Sequence, residues 1–143
     1  MNINEITTYQ SAMFQAKAYR RLKVMTTSIL KKHDLTMMQW SLLGFINDAG
    51  KEGVRITELS EQLDTTQAFI TNTVNTLQAK GMVTRTKNED DTRAKQVVLV
   101  PKYRKFVQKV ETSIRNEMRL QIYSKITREE LITYIQVLEK LSK

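Results

Sequence analysis

Apolar residues recur at three- and four-residue spacing over most of this chain, and the one stretch that breaks the rhythm is short. Ile6, Tyr9, Met13, Ala16 and Tyr19 form a stripe that predicts a first helix over residues 4–32. Thr36-Met-Met-Gln39 has the spacing of a capping box, with Leu35 and Trp40 placed as its hydrophobic staple. The helix it opens is expected to run to residue 48 and to turn Trp40, Leu43, Phe45 and Ile46 toward a core. Residues 56–63 read as a short helix, Asp64-Thr-Thr66 as a turn, and 67–80 as a second helix that stops at Gly81. There the period changes. Residues 82–86 and 95–100 are rich in β-branched side chains and flank a charged segment, 87–94, which predicts a hairpin. After Pro101, a residue suited to a first helical turn, Phe106, Val110, Ile114 and Met118 predict a long helix to residue 123. A further capping box, Thr127-Arg-Glu-Glu130, with Ile126 and Leu131 as staple, opens a last helix faced by Leu131, Ile135, Leu138 and Leu141.

Helix, turn, helix, then hairpin is the layout of a winged helix-turn-helix, which lays its second helix in the major groove of DNA. The expected fold is therefore mainly α with a small β-hairpin wing, carrying long N- and C-terminal helices. Three segments follow: an N-terminal dimerisation helix over 1–34, the winged helix-turn-helix over 35–100, and C-terminal dimerisation helices over 101–143. A reading domain of about 65 residues lacks the surface to cover three long apolar stripes, so they are expected to pack in a homodimer. Gly44 lies inside a helical pattern, where it predicts close packing; Gly50 and Gly53 mark a loop.

Composition narrows the field. The 143 residues carry a formal charge of +8, which suits a phosphate-rich partner whose counterions are released on binding. The absence of cysteine excludes disulfides, thiol catalysis and cysteine-based peroxide sensing. One histidine, His33, with scattered carboxylates makes a poor metal site, and no cofactor is expected. The N-terminal residues lack the pattern of a signal peptide, and no apolar run reaches the length of a membrane helix. A soluble, cytoplasmic protein with no membrane partner is expected. Without a Ser/His/Asp set, a phosphate loop or a recognisable carboxylate pair, an enzyme is not.

The second helix of the motif turns Ile70, Thr73, Val74 and Leu77 inward by its spacing and leaves Ala68, Thr71, Asn72, Asn75 and Thr76 on the opposite face. That face is polar but uncharged. Amides can bond the N6/N7 edge of adenine, and a threonine methyl can meet that of thymine. Gln67, Thr71 and Asn72 are the candidates for base contact, Asn75 and Thr76 for flanking phosphate or a more distant base. Thr65 or Thr66 is the expected helix cap, whose free amides also suit a phosphate. In the hairpin, Arg93 suits a narrow minor groove, and Arg85, Lys87 and Lys95 suit the flanking backbone. Asp91 is expected to pair with Arg93 or Arg55.

On these residues the chain resembles the MarR family of transcriptional regulators. The likeness is carried by Leu35-Thr-Met-Met-Gln-Trp40, Ile56-Thr-Glu-Leu-Ser60, Val74-Asn-Thr-Leu-Gln-Ala-Lys-Gly-Met-Val83, and most specifically by Asp91-Thr-Arg93 followed by Val97-Val-Leu99. The resemblance implies a homodimer held by its first and last two helices on double-stranded DNA with a pseudo-palindromic operator. It implies a repressor, often released by a small-molecule effector. It places the reading residues at Thr66, Gln67, Ala68, Thr71, Asn72 and Thr76, with Arg93 as the wing arginine. The chain departs from the family where arginine is common and it has Gln67, Asn72 and Thr76. It departs again after the last strand, with Val100 and Tyr103 where threonine and glycine are usual.

Tyr19, Met37, Met38, Trp40 and Tyr103 are candidate lining residues for an effector pocket, against the plainer reading that apolar residues at helical spacing form core. The alternative function is a winged-helix module that binds protein without sequence-specific DNA contact, which the uncharged reading face leaves open.

Overall fold

Threonine side chains cap the starts of four of the helices. The computed structural model describes residues 1–88 and 91–143, with the backbone alone described at 87, 88 and 91–94. The first helix, α1 (Thr8–Lys31), begins later than its stripe suggests, because Ile3–Glu5 forms a separate 3-10 turn. Thr7 and Gln10 cap it reciprocally: the Thr7 amide donates to Gln10 Oε1 at 2.9 Å, and the Gln10 amide to Thr7 Oγ1 at 3.3 Å. Ile6 thus precedes the helix. The box at Thr36 opens α2 (Met37–Ala49) as expected, with Thr36 and Gln39 bonded both ways at 3.1 Å.

Then come α3 (Ile56–Gln62) and α4 (Gln67–Ala79), the helix-turn-helix pair, with Asp64 at φ 49 in the turn between them. Strands β1 (Val83–Asn88) and β2 (Asp91–Leu99) pair antiparallel from Val83↔Leu99 through Arg85↔Val97 to Lys87↔Lys95. Both strands run further toward the tip than their β-branched residues predict. A 3-10 turn at Pro101–Tyr103 leads into α5 (Arg104–Gln121), so the helix expected from Pro101 begins three residues later. The box at Thr127 opens α6 (Arg128–Leu141), with Glu130 and Thr127 bonded at 2.8 and 3.1 Å.

One pairing has no counterpart in the periodicity. Val54, between α2 and α3, forms a bridge with Val97, its amide and carbonyl bonded to that residue at 3.0 and 2.8 Å. Gly53 makes it fit. Its φ of +76 is disfavoured for residues with a side chain, and a Cβ there would stand 2.7 Å from the Val97 carbonyl oxygen. Gly44 behaves otherwise than expected: a Cβ there would meet nothing within 4 Å, so no close packing requires it.

The chain divides into two compact units, Leu30–Glu111 and Met1–Ile29 with Thr112–Lys143. In the first, Leu42, Leu43, Ile46, Leu59, Ile70, Val74, Leu77, Val83 and Val97 are exposed by 2% or less and form one core. Leu42 takes the place expected for Trp40 and Phe45; Trp40 is half-buried and Phe45 exposed. In the second unit Met25, Thr26 and Ile114 are buried, whereas α6 buries no residue.

Candidate nucleic-acid interface

The core fixes α4 from behind. Ile70, Val74 and Leu77 seat it against α2, α3 and β1, which leaves its opposite face in solvent. Thr66 is the cap: its Oγ1 accepts from the Phe69 amide at 3.2 Å. Gln67, Ala68, Asn72, Asn75 and Thr76 are exposed along the helix, and Thr71 is half-buried. Thr76 donates to the Asn72 carbonyl at 3.2 Å and Thr73 to that of Phe69 at 2.9 Å, so these hydroxyls are oriented by their own helix. Within Gln67–Ala79 there is no charged residue.

Two contributors lie outside the predicted set. Phe69 is 47% exposed beside Gln67, an apolar surface able to meet a thymine methyl. Gln78 was legible, one turn beyond Asn75, but its role depends on a strand. Arg85, expected at the DNA backbone, is half-buried and donates to Asn75 Oδ1 at 2.7 Å and to Gln78 Oε1. Lys80, at the end of α4, donates to the Asp34 carbonyl at 2.6 Å and stands 3.4 Å from its carboxylate. Lys95 is exposed on β2. The side chains of Lys87, Asp91 and Arg93 lie outside the described residues. Arg55 caps α3 through its backbone amide, which donates to Glu58 Oε2 at 3.5 Å.

The five candidate lining residues are divided between the units. Tyr19 belongs to the second and is 57% exposed. Met37, Met38, Trp40 and Tyr103 are half-buried in the first. Tyr103 meets Phe106 edge-on at 6.1 Å and carries Lys102 Nζ 5.4 Å from its ring centre. A cavity of about 510 Å³ in the second unit contains none of the five; its wall includes Lys17, Arg21, Tyr123, Lys125, Glu130 and Tyr134. Burial there raises the Tyr123 phenol above its ordinary value, and Tyr134 adds to the shift. Half-buried His33 stands edge-on to Phe106 at 5.8 Å. Among the described residues no helix is long and apolar enough to cross a membrane, and no three carboxylate or imidazole groups gather as a metal ion would need.

Residues 33–94, which include α2, the helix-turn-helix and most of the hairpin, match the MarR family. The structure of S. aureus MepR in complex with DNA aligns at a TM-score of 0.76 and 26% identity, over 96% of this chain and 97% of that one. Over residues 33–94 the chain is similar to the MarR family. Two further structures share its fold. AbsC, a MarR family transcriptional regulator from Streptomyces coelicolor, aligns at 0.80 with 18% identity, over 96% of this chain and 94% of AbsC. A cysteine-to-serine mutant of E. coli MarR complexed with operator DNA aligns at 0.79 with 20% identity, over 91% of each chain. The chain thus has the winged helix-turn-helix fold of these structures.

Proposed function

We propose that this chain is a homodimeric, sequence-specific DNA-binding regulator, acting in the cytoplasm as a transcriptional repressor. The observation that carries the reading is the ridge on α4: Gln67, Asn72, Asn75 and Thr76 exposed, uncharged and rigidly backed by Ile70, Val74 and Leu77. Polar side chains on a fixed helix suit the donor and acceptor pattern of base edges. The relatives bound to DNA, S. aureus MepR and E. coli MarR, support it.

In this reading Thr66, Gln67, Ala68, Thr71 and Asn72 meet bases, while Asn75 and Thr76 meet flanking positions. Lys87, Arg93 and Lys95 hold the backbone and minor groove, and the net charge of +8 supplies the salt-dependent part of affinity. Apolar residues left open on α6 bring a second copy, which sets two reading helices about 34 Å apart for successive major grooves of a pseudo-palindromic operator. A small-molecule effector would release the repressor by favouring a dimer shape with another separation. Met37, Met38, Trp40 and Tyr103 of the unit Leu30–Glu111 remain candidates to line its pocket.

Selection of bound duplexes from a random pool tests the reading and should return two half-sites related by twofold symmetry. On the selected operator, Asn72→Ala should weaken binding and relax preference at one base pair. Equal loss on operator and random DNA would contradict the role of Asn72. Loss of all salt dependence would favour a module that binds protein.

A further inference from the structure

Arg85 holds two acceptors of the reading helix at once. From the middle of β1, opposite Val97, its guanidinium donates through Nη2 to Asn75 Oδ1 at 2.7 Å and through Nη1 to Gln78 Oε1. Asn75 and Gln78 are three residues apart, hence neighbours on one face of α4, and both are exposed. A guanidinium has donors and no acceptor, so it dictates which end of each carboxamide faces it. An amide turned the other way would set N–H against N–H. The oxygen and nitrogen of an Asn or Gln are ordinarily hard to tell apart, and here the partner distinguishes them. The Nδ2 of Asn75 and the Nε2 of Gln78 are therefore the ends turned from the strand, with two N–H donors each.

We infer that Arg85 is a positioning residue that makes Asn75 and Gln78 donors toward nucleic acid, so that this end of α4 recognises hydrogen-bond acceptors. Those acceptors are a phosphate oxygen, or the O6/N7 edge of guanine and the O4 of thymine. Adenine is disfavoured: its paired contact needs the carboxamide oxygen to accept from N6 while the nitrogen donates to N7, and the arginine lies on the oxygen side. Gln67 and Asn72 have no such fork against them among the described residues, so the two halves of α4 differ in what they can read. The inference rests on the DNA-binding reading of α4. It assigns Arg85 to shaping the reading surface, where its charge alone would suggest a phosphate contact.

The test uses the full chain, its selected operator and a random duplex, each over a range of salt. Arg85→Lys keeps the charge but cannot bridge two oxygens, and should lower operator affinity about tenfold with the salt slope unchanged. Asn75→Ala should cost a similar factor, and the double variant little more than either alone. Asn75→Asp keeps an oxygen for Arg85 but removes the donors, and should bind more weakly than Asn75→Ala. Because that variant strengthens the contact to the strand, its loss cannot come from misfolding; thermal melts of all four check this. Loss shared by operator and random duplex identifies the acceptor as phosphate. A changed preference at one base pair identifies a base edge, and either result supports the inference. Wild-type affinity in Arg85→Lys, losses that multiply in the double variant, or an Asn75→Asp no weaker than Asn75→Ala would overturn it. Wild-type protein that neither prefers the operator nor responds to salt would instead remove the DNA-binding reading beneath it.

Discussion

The two units of this chain differ in how completely they cover their own apolar residues. Leu30–Glu111 closes on itself: Leu42, Ile46, Leu59, Ile70, Val74 and Leu77 are all fully buried. In the unit formed by Met1–Ile29 and Thr112–Lys143, Tyr134, Ile135, Val137 and Leu138 of α6 stay 41–49% exposed, and Tyr9, Met13 and Phe14 of α1 are open as well. A run of large apolar side chains in water is costly at about 25 cal/mol per Å², and patches of that kind mark interaction surfaces. The reading unit is thus complete in one chain. The other leaves large apolar residues at its surface, which supports the proposed pairing with a second copy.

The sharpest way to break this contrast is to charge α6. Ile135→Glu with Leu138→Glu should convert a two-chain species to single chains in sedimentation, and operator affinity should fall by about 100-fold as the half-sites lose their linkage. The reading unit should keep its fold. A dimer that persisted at micromolar concentration would mean that α6 is not its seam.

Closure of the other unit depends on Gly53. Gly53→Ala sets a methyl against the Val97 carbonyl at a left-handed φ, and should cost about 1–3 kcal/mol in urea unfolding. An unchanged midpoint would show that the Val54 bridge is not part of what holds the wing.

The smallest effect concerns Tyr123. Its folded-state phenol is raised above 10.0, first by burial and then by Tyr134. A raised value favours the protonated form, so the contribution is full below 10.0 and is lost as pH rises through the folded value. Tyr123→Phe should flatten the alkaline limb of a stability–pH curve and leave neutral pH unaltered. An alkaline limb that keeps its slope would exclude Tyr123 as its source.

Much of the reading unit was legible because its signals are local. The Thr36 and Thr127 boxes are fixed by three-residue spacing, and the stop at Gly81 (φ +75) by one residue. The late start of α1 is written in Thr7-x-x-Gln10, although the apolar stripe begins before it at Ile6. Other features needed contacts distant in sequence. Val54 meets Val97 across 42 intervening positions, and nothing near Val54 announces the partner. The exposed polar face of α4 followed from periodicity. The commitment of Arg85 to Asn75 and Gln78 did not, because a strand residue reaches a helix only once the hairpin has folded back. Leu42 displaced Trp40 from the core for a similar reason: three apolar neighbours at 40, 42 and 43 admit more than one helical phase.

Lys80 closes the matter of how this protein could change its target. With its ammonium held on the Asp34 carbonyl, the reading helix has no cation of its own to offer. Under the proposed reading, general grip resides in the wing and discrimination in neutral amides and hydroxyls. Exchanging those side chains could retune the preferred operator while leaving indiscriminate adhesion nearly untouched. Two properties that are usually entangled in a basic recognition helix could then drift independently.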